Sequence, residues 1–316
     1  MHDKNLQNST LLLARLDNMK ASGFAKDWLA RLVAMPTQSQ LPDQDEVLRD
    51  YLSKGIAPLL DEIGFDQKIY ANPIKNAPPL LVAHRHENDV LPTILIYGHG
   101  DVIHAQYEGW HEGLQPFETV TRDGLIYGRG TADNKGQHLI NLLALKAVLD
   151  VQGRLGFNVK FLLEMGEETG SPGLFGFCQT HKDTLKADVL ISSDGPRLDI
   201  DTPTVFLGSR GALNFGLSVD LRPQALHSGN WGGLIADPAI RLTQALATLT
   251  DARGQLQIVS WRPTSLTPEV RAMIDLLPDA DTQESIIDVN WGERDLSPNE
   301  RVFGWNSFAI LAMKSG

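Results

Sequence analysis

The chain has 316 residues, enough for about two domains at roughly 100–200 residues each. Hydrophobic residues make up 42% and charged residues 21%, with 39 acidic side chains against 28 basic ones and a net charge of −11. That balance is globular, and it argues against a nucleic-acid partner, which requires a basic face.

Cys178 is the only cysteine, which leaves no disulfide within the chain and no thiolate metal cluster, and fits a reducing compartment. Near the start, Leu11-Leu12-Leu13-Ala14 is too short for a signal-peptide core and is soon followed by Arg15 and Asp17. No apolar run approaches the length of a membrane span. The expectation is a soluble cytoplasmic protein with no membrane partner.

Residues 1–65 read as helical: Leu11, Leu12, Ala14 and Leu16, then Trp28, Leu29, Leu32 and Val33, then Val47 through Leu60 recur at helical spacing, closed by Gly64. Strand-like runs follow at Leu80–Ala83 and Thr93–Tyr97. A glycine-rich stretch spans Gly98 to Gly136, a helix runs from Asn134 to Val151, and further strands lie at Asn158–Leu163 and Ala187–Ser192. Continuous apolar strands separated by helices imply an α/β fold, a mostly parallel sheet covered by helices on both faces.

After Gly208 the texture changes. Leu213, Phe215, Leu217 and Val219 alternate as in a half-buried strand, and helices are expected at Ile235–Leu249 and Pro268–Leu277. Ser307 to Met313 resembles a further strand. A domain boundary is therefore placed near Gly208, giving domains 1–208 and 209–316.

Chemistry concentrates in four clusters: Gly98-His99-Gly100-Asp101, Gly128 to Gly136 around Asp133, Glu164 to Ser171 around Glu167-Glu168, and Ser193-Asp194-Gly195. Taken singly they have ordinary explanations: a loop pair, a helix N-cap, an acidic loop and a turn. Three of them fall just past strand ends, and ligands of such sheets bind beyond the carboxyl ends of strands. One imidazole and several carboxylates at one sheet edge form a divalent-metal ligand set.

His99-Gly100-Asp101, Gly128-Arg129-Gly130-x-x-Asp133-x-Lys135-Gly136, Glu167-Glu168-x-Gly170-Ser171 and Ser193-Asp194 resemble the family of dinuclear zinc peptidases and deacylases. That family includes aminoacylase, acetylornithine deacetylase, succinyl-diaminopimelate desuccinylase, glutamate carboxypeptidase and carnosinase. The match runs from about Pro92 to Gly233, and Gly229-x-x-Gly232-Gly233 is most similar to the carnosinase-like dipeptidase branch. The resemblance implies a zinc-dependent catalytic domain followed by a partial α+β lid and dimerisation domain. It implies that His99 and Asp194 hold one zinc, Glu168 the other, and that Asp133 bridges the two. It also implies that Asp101 orients His99 and that Glu167 is the general base. The Asp133–Asn134 peptide would be cis. Arg210-Gly211 and His227-Ser228-Gly229 resemble the lid, in which His227 would reach a partner's active site across a homodimer and steady the carbonyl oxygen. The activity implied is hydrolysis of dipeptides or small peptides, with deacylation of N-acyl amino acids as the alternative.

The sequence departs from that pattern in one respect. Members of the family place a last histidine ligand late in the chain, and here no histidine follows His227. The expectation is an incomplete copy, with His99, Asp133 and Asp194 completing one zinc position and the other keeping Asp133 and Glu168. Such a chain would bind one zinc tightly with little peptidase activity, or serve as a non-catalytic scaffold.

Overall fold

A computed structural model of the chain describes residues 2–195, 202–206, 208, 211–278, 287–288 and 290–315. They form two compact units, Met1–Pro196 and Arg197–Gly316. Arg210 lies outside the described residues. Among the described residues, no helix is long and apolar enough to cross a membrane.

The first unit opens with helices α1 (His2–Ala21), α2 (Phe24–Val33), α3 (Asp45–Asp50) and α4 (Ala57–Glu62). Between α3 and α4 the backbone widens into a π-helical turn, Tyr51–Ile56. That turn buries Tyr51, Leu52, Gly55 and Ile56 together, and wide turns of this kind often mark functional positions. Strands β1 (Asp66–Tyr70), β2 (Leu80–Arg85) and β3 (Thr93–His99) follow. The glycine-rich stretch holds a short hairpin, β4 (Val120–Arg122) and β5 (Leu125–Tyr127). Its two turn residues, Asp123 and Gly124, both have positive φ (53° and 81°), as a two-residue hairpin turn demands. Helix α5 (Lys135–Gln152) then leads to β6 (Asn158–Glu164), α6 (Leu174–Thr180), α7 (Lys182–Leu185) and β7 (Val189–Ser192).

The five-stranded sheet runs in the order β1-β2-β6-β3-β7. Strands β6, β3 and β7 are mutually parallel, whereas β1-β2 and β2-β6 are antiparallel. The sheet is thus mixed, and its parallel half carries the chemistry. Alternate strand residues serve two cores. Leu81, Ala83, Ile96, Val159, Phe161 and Leu163 face the N-terminal helices and α5. Leu80, Val82 and Leu162 face α6 and α7 through Phe177 and Leu185. Burying each such leucine or phenylalanine is worth about 1.5–3 kcal/mol. The edge strand β7 is different: Val189, Leu190 and Ile191 are 51%, 63% and 41% exposed.

One ionic cluster pins α1 to α5. Arg15 donates to Asp150 at 2.7 and 2.9 Å, and Lys146 reaches Glu62 at 2.9 Å and Asp150 at 3.3 Å. Partial burial pushes the Asp150 carboxyl up, but the bonds from Arg15 and Lys146 outweigh it and hold the group below its ordinary value. A carboxylate held low stabilises the fold above its unfolded pKa, and that contribution is lost as pH falls through the folded value. Asp150→Asn should therefore cost up to about 1 kcal/mol at neutral pH and lose its effect as acid protonates the folded carboxylate. Melting curves of both proteins from neutral to strongly acid pH test this, and a gap that does not narrow with falling pH would contradict it.

The second unit holds α8 (Ser228–Trp231), α9 (Pro238–Leu246), α10 (Pro268–Ile274) and α11 (Pro298–Phe303). The helices expected at 235–249 and 268–277 are present but shorter. The strands expected at 213–219 and 307–313 are not found among the described residues. Leu213, Phe215 and Leu217 are 85%, 54% and 47% exposed. Alternation alone does not make a strand without a neighbour to pair with, and among the described residues 213–219 pairs with no strand, although the Phe215 ring lies 6.4 Å from that of Trp261 and 6.3 Å from that of Phe308.

Candidate metal centre

Strands β3, β6 and β7 end in register. His99 lies opposite Glu164, and Tyr97 opposite Ser192. The segments just past these ends, with the loop that opens α5, place His99, Asp133, Glu167, Glu168 and Asp194 at one sheet edge. Two groups have ligand atoms within 4.8 Å of one another: His99, Asp133 and Asp194, and His99, Glu167 and Glu168. His99 belongs to both. His104 and His111 are exposed and belong to neither.

His99 is fully buried and its ring orientation is fixed from behind. Its Nδ1 lies 3.1 Å from the Asp101 carbonyl and 3.3 Å from the Asp101 carboxylate. That leaves Nε2 facing Asp133 at 2.9 Å, Asp194 at 3.7 Å and Glu167 at 3.9 Å. The glycines flanking His99 are required by packing. A Cβ on Gly98 would lie 2.8 Å from His138 Cβ and 2.9 Å from Asn134 Oδ1, and one on Gly100 would strike the Tyr51 ring and come within 2.7 Å of Met165 Sδ.

Asp101 does more than face the histidine. It is 0% exposed, and its carboxylate accepts from Ser39 Oγ at 2.6 Å, Glu167 N at 3.2 Å and Glu168 N at 3.1 Å. One buried carboxylate thus grips the backbone that carries both glutamates. That backbone is a short 3-10 turn, Glu167–Thr169, closed by Gly170 at φ 85°. The Asp133–Asn134 peptide is cis.

Charge is unbalanced here. Burial lowers the His99 pKa, but the carboxylates of Asp101, Asp133 and Asp194 outweigh it and the imidazole is pushed up to about 12. Glu168 is pushed up to about 7 by burial first, then by the Asp133 charge. Glu167 is also raised, by burial and, against the His99 charge, by Asp194, Asp101 and Asp133. The His99 bond holds Asp133 low. Five carboxyl groups around one imidazole are a strong attractor for a divalent cation, and nitrogen and carboxylate oxygens are donors that zinc accepts.

Residues 95–306 match the description of peptidase family M20/M25/M40. The chain belongs to that family. The M20-family chain is 34% identical over 212 residues to the Beta-Ala-His dipeptidase of Rattus norvegicus, covering 66% of itself but 42% of that protein. It is 29% identical over 232 residues to the cysteinylglycine-S-conjugate dipeptidase of Corynebacterium striatum, covering 73% of itself and 50% of that protein. Among solved structures, the di-peptidase Dug1p of Saccharomyces cerevisiae superposes with a TM-score of 0.64 at 26% identity, over 85% of this chain and 58% of that one. The M20-family chain therefore spans about half the length of the relatives it matches.

Sequence reasoning missed much of what surrounds the candidate ligands. Residues 36–41, read there as part of a helical region, run alongside the site: Gln38 bridges Val102 in parallel. Thr37 Oγ1 donates to the Gly100 carbonyl at 2.7 Å, and Gln40 Nε2 to the Glu168 carbonyl at 3.0 Å. Lys135 is fully buried, donating to the carbonyls of Leu32 at 3.0 Å and Met35 at 2.7 Å. Burial pushes its pKa down to about 7. His138 is pushed down to about 3, by burial first and then by the charges of His99 and Lys135, so it is neutral. One signal for this layer was in the sequence: Asn134, Gln137, His138 and Asn141 form a polar stripe at helical spacing at the start of α5. His227 lies in the second unit, exposed, where its Nδ1 accepts from Gly229 N at 3.1 Å and caps α8.

Proposed function

We propose that this chain carries the metal-binding and proton-transfer half of a dipeptidase active site. The observation that supports it is the convergence of one buried imidazole and four carboxylates, from three parallel strand ends and one helix start, at a single edge. His99, Asp133 and Asp194 would hold one zinc ion, and Asp133 and Glu168 would contribute to a second position. Zinc bound there supplies Lewis acidity to water and to the scissile carbonyl.

The chain's own residues do the rest. Asp101 fixes the His99 ring so that Nε2 points into the site, and holds the Glu167–Glu168 backbone in place. Glu167, the partly exposed carboxylate beside His99, takes a proton from the attacking water. It then returns that proton to the departing amine. Its raised pKa brings it closer to a value from which both transfers are efficient. In the lid domain proposed for residues 209–316, His227 would stabilise the developing oxyanion at a homodimer interface. The substrate class is the dipeptide, which accords with the named activities of the relatives. N-acyl amino acids are the second class to test.

Titration of the full chain with zinc, followed by a panel of dipeptides and N-acetyl and N-succinyl amino acids, tests this reading. Tight binding of at least one ion is expected, with dipeptides the only class hydrolysed. Absence of tight divalent-ion binding would sink the metal-site reading, and turnover confined to N-acyl amino acids would replace the dipeptidase with a deacylase.

A further inference from the structure

Asp194 occupies an awkward place for a ligand. It follows β7, which pairs with β3 over four residues only and leaves Val189, Leu190 and Ile191 exposed. Packing therefore does little to fix the turn that carries it. Three amide side chains of the α5 start do so instead. Asn134 Nδ2 donates to the Ser193 carbonyl at 2.6 Å, with a longer reach of 3.4 Å to Asp194 Oδ1. Gln137 Nε2 donates to the Gly195 carbonyl at 2.9 Å, and Asn141 Nδ2 to Ser193 Oγ at 2.9 Å.

Of the three, Asn134 is fully buried and has its polarity set from both sides. The His99 backbone N–H is an obligate donor and lies 3.2 Å from Asn134 Oδ1. The Ser193 carbonyl, an obligate acceptor, lies at Nδ2. His138 Nδ1 is also 3.2 Å from Asn134 Oδ1, so this nitrogen must bear the hydrogen. His138 Nε2 is then bare, and it accepts from the Tyr51 hydroxyl at 2.8 Å. Tyr51 and His138 are both 0% exposed, and the π-helical turn of Tyr51–Ile56 begins with the tyrosine. A single directional chain of hydrogen bonds thus runs from Tyr51 through His138 and Asn134 to the Ser193–Asp194 turn.

We infer that Asn134, oriented by the His99 N–H and the Ser193 carbonyl and braced by His138 and Tyr51, is the positioning residue for Asp194 and so sets the affinity of the metal site. The inference rests on the metal-site reading above. Supporting groups behind metal ligands typically change affinity by about 10–100-fold when lost. Leucine at position 138 fills space but cannot donate to Asn134, whereas glutamine can both donate to Asn134 and accept from Tyr51.

The test is cobalt(II) titration of the full chain, followed by its visible absorption, together with imidazole ¹⁵N spectra. His138→Leu should weaken cobalt binding about tenfold or more and alter the absorption band, and His138→Gln should restore the affinity to within about threefold of wild type. The wild-type spectrum should show His138 protonated at Nδ1. In Tyr51→Phe the bare Nε2 resonance should shift as its hydrogen bond is lost, with cobalt binding weakened severalfold. An Nε2-protonated His138 in the wild type overturns the inference, without recourse to any variant. Equal affinities for wild type, Leu and Gln also overturn it, as do equal losses in Leu and Gln. A wild type that binds no cobalt refutes the metal-site reading and, with it, any effect of Asn134 on affinity, while the ¹⁵N spectra still decide whether the directional chain exists.

Discussion

Under the proposed function, Glu167→Gln in a complete dipeptidase site is expected to retain its divalent ion and lose dipeptide turnover by about 10²–10⁴-fold, the range that a positioned general base contributes. The substitution keeps the shape of the side chain and removes its ability to accept a proton. The scaffold should survive, because Asp101 holds this turn through the backbone N–H groups of residues 167 and 168. The carboxylate of Glu167 is 3.9 Å from His99 Nε2 and outside the His99, Asp133 and Asp194 group, so that ion position keeps its donors. The pH profile adds a second readout. The base works only when ionised, so wild-type kcat/KM should fall on the acid side as Glu167 gains its proton, and the glutamine variant should lack that limb. Turnover within tenfold of wild type at equal metal content would remove Glu167 as the base.

Gly136→Ala should destabilise the first unit by about 3 kcal/mol or more and remove tight ion binding with it. A Cβ at this position would sit on the Thr131 carbonyl. Neither side can yield freely. Gly136 N donates to the Gly130 carbonyl at 3.3 Å, and the neighbouring Lys135 is anchored to α2 and the residues just after it by two hydrogen bonds. Any relief must move the Thr131–Asp133 segment, which carries a proposed ligand. Gly176→Ala is the control, since Gly176 lies in α6 and a Cβ there would meet nothing within 4 Å. It should be neutral or stabilising by up to about 1 kcal/mol. Urea unfolding of the two variants side by side checks the contrast, and similar midpoints would contradict the packing argument.

The parallel half of the sheet was legible in the sequence because its strands read as unbroken apolar runs. The same runs ended at glycine or serine immediately before His99 and Asp194, so the edge where these side chains gather was legible with them. Strand β1 was not, because Asp66–Tyr70 is a half-exposed edge with polar residues and gives little hydrophobic signal. The segment at Thr37–Gln40 was missed for a related reason. It contributes through side-chain and backbone hydrogen bonds to residues more than sixty positions away, and no local periodicity encodes such pairings. Asn134 and His138 are buried among the apolar residues of the same helix, with Leu142 and Leu145 one and two turns beyond His138, so the hydrophobic pattern masks their polar role. The second unit was least legible. Its alternating segments carry the strand pattern, but a strand is completed by its neighbour.

The donors proposed for the first ion come from positions 99, 133 and 194, so an ion bound there closes two successive loops of the chain at once. In the unfolded state those positions are far apart and the ion has no preformed site to occupy. Binding must then draw the whole equilibrium toward the folded unit by mass action, by about 2.7 kcal/mol at a hundredfold excess over Kd. A zinc ion at this edge would act as a reversible cross-link between three distant parts of the sequence, and its loss would lower the stability of the first unit, the α1–α5 contact included.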